Sequence, residues 1–496
     1  MVTFPAAGYR NNGSGSVSGL GSNGNYWSDS PNNESNGYNL NFNSGNVNPQ
    51  NNDNRANGQS GRCVQAFTKN PHIKSMSSLF RENLRNDLFL AYYKTRKNKR
   101  NTYAQLQFEK DVEHNLIVLL DSLVDQSYEP QPAMCFIIYD PVMREVFASK
   151  FSDRVVNQLL FNYISPIFEK KFIYDSYSCR KGKGTLFGIE RLDHHIRSCT
   201  NNYQKMAYIL KIDIQGYFMN IKKNILYSQV MNGMEEYWSK AGINMDIPTK
   251  NPKFMTFLIH TIIFKDPTQN CIVKGNAKEW KKLPKSKSLF NSPKGSGLII
   301  GDVTSQLFSN IYLNTFDNMI KRAKKIRHYG RYVDDAYIVH NSKAFLKSII
   351  PVIRKYLKEQ LGLTLHPKKI YLQPYTHGVP FLGAFIKPNR KYVVPRTVHS
   401  FHVKIIKLKR QCNNDDLELN DMKDVRTILN SYCGYFQHFK AYKIIHQSVT
   451  GSCIFKYNYF SSGYRKSIIY KRYLKDACHK RDIDNDLKNI FSVKKD

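Results

Sequence analysis

The chain is expected to fold as an α+β protein whose antiparallel sheet carries acids at one end and is backed by helices. Three observations lead there. Residues 330–340 place Asp334 and Asp335 between two short, apolar, β-favouring runs. A second apolar run, 208–212, ends at Asp213. Helical apolar spacing fills residues 75–127, and amphipathic basic helices are expected from about 392 to the end. A chain of 496 residues can bury a large core and divide into more than one domain.

The stretch Gly-Arg-Tyr-Val-Asp-Asp-Ala-Tyr-Ile-Val-His, residues 330–340, is read as a hairpin with carboxylates at its tip. Asp-Asp alone also suits a solvated turn, so a third carboxylate elsewhere decides between the readings. Asp213 supplies it, because an acid ending an apolar strand is costly to bury unless a cation or hydrogen bonds compensate it. Magnesium prefers hard oxygen ligands, and two ions roughly 3.5–4 Å apart can serve both the attacking and the leaving oxygen of a phosphoryl transfer. Phe218, five residues after Asp213, completes an Asp-x-x-x-x-Phe pattern that resembles the form used by reverse transcriptases. The fold so implied is a right-hand polymerase with fingers, an antiparallel palm sheet and a helical thumb.

Residues 297–314 narrow the resemblance. Ile300-Gly301 opens and Ser305-Gln306 closes a segment similar to the Ile-Gly-x-x-x-Ser-Gln form of diversity-generating retroelement enzymes, within the group II intron-like bacterial reverse transcriptases. Residues 172–185 (Phe-Ile-Tyr-Asp-Ser-Tyr-Ser-Cys-Arg-Lys-Gly-Lys-Gly-Thr), Leu283-Pro284 and Ser288-Leu289-Phe290 resemble the same group. The similarity runs from about Arg144 to Gly383, with Ile299 departing from the family's usual proline. It implies that Asp213 and Asp334 hold two Mg2+ ions, with the Ile214 carbonyl and Asp335 in support. Arg144 would grip the triphosphate, since a guanidinium offers a fork of donors to phosphate oxygens. Phe218 would exclude ribonucleotides, Gln306 would line the base-pair pocket, and Lys369 would stand near the leaving pyrophosphate. Arg180, Lys181 and Lys183 would approach nucleic-acid phosphates, and residues 379–383 would grip the primer. Template RNA, cDNA, deoxynucleoside triphosphates and a small basic accessory protein are the implied partners. Loose packing around Ile300, Gly301, Ser305 and Gln306 would narrow the gap between right and wrong pairs and make copying error-prone at adenines.

Composition agrees. Lys and Arg number 74 against 39 Asp and Glu, a formal charge of +35, which asks for a polyanionic partner. The nine cysteines stand singly, with no zinc spacing, and read as reduced thiols of a cytoplasmic protein. His194-His195 reads as a structural or exposed pair. Residues 254–264 are the most apolar stretch, too short to span a bilayer, and are expected as a buried helix. Asp153 is the expected partner of Arg154. No endonuclease or ribonuclease H acid set follows the polymerase motifs.

Residues 1–67 are Asn-, Gly- and Ser-rich and are expected to lack fixed structure. Fragments such as Asn25-Tyr26-Trp27-Ser28 resemble the end of a C-type-lectin-like variable protein, so the segment reads as a translated template repeat, with the protein proper beginning near Met76. The remaining domains are expected as a basic helical extension (68–129), fingers (130–201), palm (202–390, with an insertion near 237–291) and thumb (391–496). The competing readings are another bacterial reverse transcriptase, of retron, intron or phage-defence type, and a catalytically inactive RNA-binding scaffold.

Overall fold

The computed structural model describes residues 76–97, 102–139, 143–412, 419–450 and 454, with strands at 7–10, 17–20, 24–31, 36–42, 47–54, 58–59, 458–460 and 467–469. The chain divides into two units, Met1–Ser75 and Met76–Asp496.

In the first unit, Gly24–Pro31, Asn36–Phe42 and Val47–Asn54 pair antiparallel in succession. Residues 1–67 were expected to lack fixed structure; the described stretches pair as strands, and the rest lies outside the described residues. A ladder needs only backbone amides and carbonyls, so an Asn-rich segment can form one without an apolar face.

The second unit opens with helices Ser78–Arg96, Tyr103–Glu109 and Val112–Val124. Ser77 caps the first by accepting from the Phe80 amide at 3.0 Å. Of its leucines, Leu84 and Leu88 are buried while Leu79 and Leu90 are more than half exposed. The buried stripe is Phe80, Leu84, Leu88, Ala91 and Thr95, whose i, i+3 and i+4 steps keep to one side of the cylinder. The fingers sheet pairs Ala133–Ile138 antiparallel with Arg144–Ala148. Its third strand, Cys271–Val273, comes from the segment expected as a palm insertion and runs parallel to the first. Residues 254–264 lie in helix Pro252–Phe264, which buries Phe254, Met255, Leu258, Ile259 and Ile263.

The palm sheet has the order Tyr329–Tyr332, Asp335–His340, Tyr208–Ile212, Tyr371–Pro374, antiparallel throughout. Helices Val303–Asn318 and Lys343–Leu361 share its core, where Leu210, Ile212 and Ile338 meet Phe316, Ile353 and Leu357. A three-stranded hairpin set, Val379–Phe381, Ala384–Lys387 and Arg390–Val393, leads to helices Pro395–Cys412, Leu419–Phe436 and Tyr442–Val449. These helices have a core of their own around Phe401, Leu429 and Phe436. Among the described residues, no helix is long and apolar enough to cross a membrane.

Candidate active site

Strand pairing brings the three aspartates together. Ala336 pairs with Ile212, so the residues next along, Asp335 and Asp213, meet at the same end of the ladder. Asp334 occupies the two-residue turn Val333-Asp334 that joins the hairpin strands. Val333 has φ +54°, a conformation a β-branched residue rarely adopts. Burial, and then the charges of Asp335 and Asp213, push the Asp334 carboxyl up to about 6. Asp335 is also raised by burial, against the pull of Lys211.

Two ammonium groups oppose this concentration of negative charge. Lys211, two residues before Asp213 and therefore on the same face of its strand, puts Nζ 3.3 Å from Asp335. Lys369 places Nζ 3.0 Å from Asp213 Oδ2. Its segment is pinned by backbone bonds: His366 N–H donates to the Asp213 carbonyl, and Gln215 N–H to the Thr364 carbonyl, each at 2.9 Å.

Phe218 sits on the short helix Tyr217–Asn220, half-buried, and its carbonyl accepts from the Leu298 amide at 3.0 Å. Buried Tyr217 donates to the Ser309 carbonyl at 2.6 Å, tying this turn to helix Val303–Asn318. Ile214 is buried beside Asp213. At the start of the long helix, Gly301 has φ +124°, and the Asp302 carboxylate accepts from Ser149 at 2.9 Å. Ser305 is buried and lines a cavity of about 20 Å³, Ile300 packs beside Ile299 and Leu289, and Gln306 is exposed.

In the fingers, Arg144 is exposed at the first position of its strand. Its neighbour Glu145 is buried and accepts from Trp280 (2.9 Å), Ser288 (2.7 Å) and the Leu289 amide (2.6 Å), which fastens the 271–291 segment to the fingers. The expected pairing of Arg154 with Asp153 is corrected. Asp153 takes Lys265 at 3.0 Å and the Tyr128 hydroxyl at 2.9 Å, whereas Arg154 donates to the Ser149 carbonyl. Adjacent residues on a helix point apart, so Asp153 reaches inward and Arg154 along the surface.

Arg180 is engaged by Glu169 (2.7 Å) and by the carbonyls of Ile173 and Ser176, so it holds the loop on which exposed Lys181 is presented. Lys183 donates to the Tyr174 carbonyl, and burial lowers it to about 8. His195 is buried rather than exposed. It joins a closed ring in which Tyr337 Oη is 3.1 Å from His195 Nδ1 and 2.7 Å from Tyr177 Oη, with Asp175 touching both His195 and Tyr177. Arg191 (2.8 Å) and Lys321 (3.1 Å) neutralise Asp175.

Sequence reasoning overlooked Lys211, Glu145, Asp317 and Arg331. For Arg331 a signal was present: a charged residue inside a buried strand requires an equally buried partner. That partner is Asp317, 2.7 Å away, and both side chains are fully buried.

An antiparallel palm with three convergent carboxylates and flanking cations defines the class of template-directed nucleotidyltransferases. Residues 143–386 match the reverse transcriptase (RNA-dependent DNA polymerase) family. The chain therefore carries a reverse transcriptase domain, the domain of an RNA-directed DNA polymerase. Residues 1–67 match a separate family, a domain of unknown function. No curated protein matches. Among solved structures, similarity extends to Candida albicans telomerase in complex with a TWJ fragment of telomeric RNA (TM-score 0.35, 12% identity, 65% of this chain and 57% of that one). It extends also to Candida tropicalis telomerase, apo and truncated from its C-terminal domain (0.39, 12%, 53% and 55%) or with a TWJ RNA fragment (0.39, 14%, 65% and 55%). The chain thus spans little more than half the length of these structures.

Proposed function

We propose that this protein copies a template-repeat RNA into cDNA for a diversity-generating retroelement. The convergence of Asp213 with Asp334 and Asp335 carries the polymerase part of the reading. An all-oxygen donor set, half-buried and mutually repelling, fits a hard divalent cation. Among the described residues, no three His, Cys, Asp or Glu side chains are gathered closely enough to hold an ion as they stand. Lys369 would therefore release Asp213 before Asp213 and Asp334 took up Mg2+. Bound there, two Mg2+ ions would activate the primer hydroxyl and neutralise the triphosphate.

The chain's own groups do the rest. Arg144, with Lys181 and Lys183 on their loop, meets phosphates, and Arg180 braces that loop. Phe218 closes the space a ribose 2′-hydroxyl would fill. Lys369, once freed from Asp213, stands where pyrophosphate leaves and can donate a proton to it. Asp335, held by Lys211, supports the ligands without competing for the same cation.

The segment from Ile300 and Gly301 to Ser305 and Gln306 supports the narrower assignment, together with the Asn-rich leader. Exposed Gln306 leaves its side of the base-pair pocket unbraced, in keeping with weak discrimination at adenines. The host cytoplasm is the proposed setting, with template RNA, primer, deoxynucleoside triphosphates and a small basic protein as partners. Sequencing cDNA made on an adenine-containing RNA template tests this. Adenine errors should dominate and should fall in Ile300→Gln or Gln306→Pro; an unchanged spectrum in both variants refutes the pocket account.

A further inference from the structure

Arg331 lies three residues before Asp334 and has no exposed surface. Its guanidinium forks onto Asp317, Nε to Oδ1 at 2.8 Å and Nη2 to Oδ2 at 2.7 Å. Tyr329 donates to the same carboxylate at 2.6 Å. The remaining arm, Nη1, donates to the Val333 carbonyl at 2.8 Å and reaches Asn310 Oδ1 at 3.4 Å. Backbone bonds fix Arg331 on its other side, from its own amide to the Asp175 carbonyl and from the Tyr177 amide to its carbonyl, each at 2.9 Å.

The Val333 carbonyl belongs to the central peptide of the turn Tyr332-Val333-Asp334-Asp335. Turn types differ by a flip of that peptide, and the form seen here, with φ +54° at Val333, suits glycine and not a β-branched residue. A relaxed turn would rotate the peptide and carry the Asp334 Cβ with it. The bond from Arg331 opposes that rotation, and Asp317 holds the guanidinium in place.

We propose that Arg331, oriented by Asp317, is the positioning residue that keeps the Asp334 turn in its strained form, so that Asp334 can share a divalent cation with Asp213. This rests on the polymerase reading above. A planar fork is needed: one ammonium cannot serve both a bidentate carboxylate and a carbonyl beyond it. Arg331→Lys therefore keeps a cation for Asp317 and loses the clamp.

The experiment measures Mn2+ binding by its EPR signal, primer extension and thermal unfolding in the full chain. Arg331→Lys is expected to weaken Mn2+ binding about tenfold or more and to lower kcat, with KM for the deoxynucleotide little changed. Adding Val333→Gly, which removes the side-chain penalty at φ +54°, should restore Mn2+ affinity several-fold. Asp317→Asn should give the same pattern in milder form and stands in should Arg331→Lys fail to fold. Unchanged Mn2+ affinity in the folded variants overturns the proposal. So does a loss that tracks unfolding and is not relieved by Val333→Gly. Asp334→Asn separates this from the parent reading: if that variant still binds Mn2+ and extends primers, the polymerase site itself is misassigned.

Discussion

Burial and two neighbouring carboxylates raise Asp334 from 3.8 to about 6. The folded protein therefore binds the extra proton more tightly than the unfolded chain. The contribution of Asp334 to stability is fully present below pH 4, is lost as pH rises through 4 to 6, and leaves the metal-free protein lower above that by about 3 kcal/mol. Asp334→Asn should recover that stability in metal-free buffer at pH 7.5 and show little gain near pH 4, read by denaturant unfolding. The same substitution should cost about 10²–10³-fold in primer extension, the scale of losing one preorganised charge-stabilising group. At subsaturating Mg2+, wild-type extension should decline as pH drops toward 6, because the proton on Asp334 competes with the cation, and added Mg2+ should move the decline to lower pH. Phe218→Ala should raise ribonucleotide incorporation, tenfold for each ~1.4 kcal/mol of lost discrimination, in competition assays with both sugar types.

The hairpin and its surroundings set how much of the site could be read in advance. Strand Tyr208–Ile212 has the bounds its apolar run predicted, since an apolar strand ending in an acid leaves few alternatives. The meeting of Asp213 with Asp334 and Asp335 was legible for the same reason. Not legible were the ion pairs that join distant elements. Lys265 as the partner of Asp153, and Asp317 as that of Arg331, are set by packing between distant segments, which local periodicity does not encode. Leu79 and Leu90 show the converse: an apolar residue is buried only where another element covers it. Gly330 is a sharper case. A Cβ there would overlap the hydroxyls of Tyr177 and Tyr337, which close the buried ring with His195 and Asp175. Gly330→Ala should thus destabilise by about 1–3 kcal/mol, and a chemical denaturation midpoint would register it.

Over the whole molecule, charge and domain division dominate. On the proposed function, 74 basic against 39 acidic residues mean that binding of an RNA–DNA hybrid should release many counterions. Contacts to six to ten phosphates would lower affinity by roughly 10³–10⁵ between 50 and 200 mM salt, measurable by fluorescence anisotropy. Because Met1–Ser75 forms its own unit, a chain beginning at Met76 should keep the unfolding midpoint and primer extension of the full protein. The central claim is that Asp213 and Asp334, brought together from distant segments and supported by Asp335, form the cation site that builds DNA on an RNA guide. Its most direct test is primer extension on an RNA template with deoxynucleotides and Mg2+, comparing wild type with Asp334→Asn at equal folded concentration. Template-dependent extension by the wild type alone is the predicted result; equal extension by both proteins, or none by either, would contradict it.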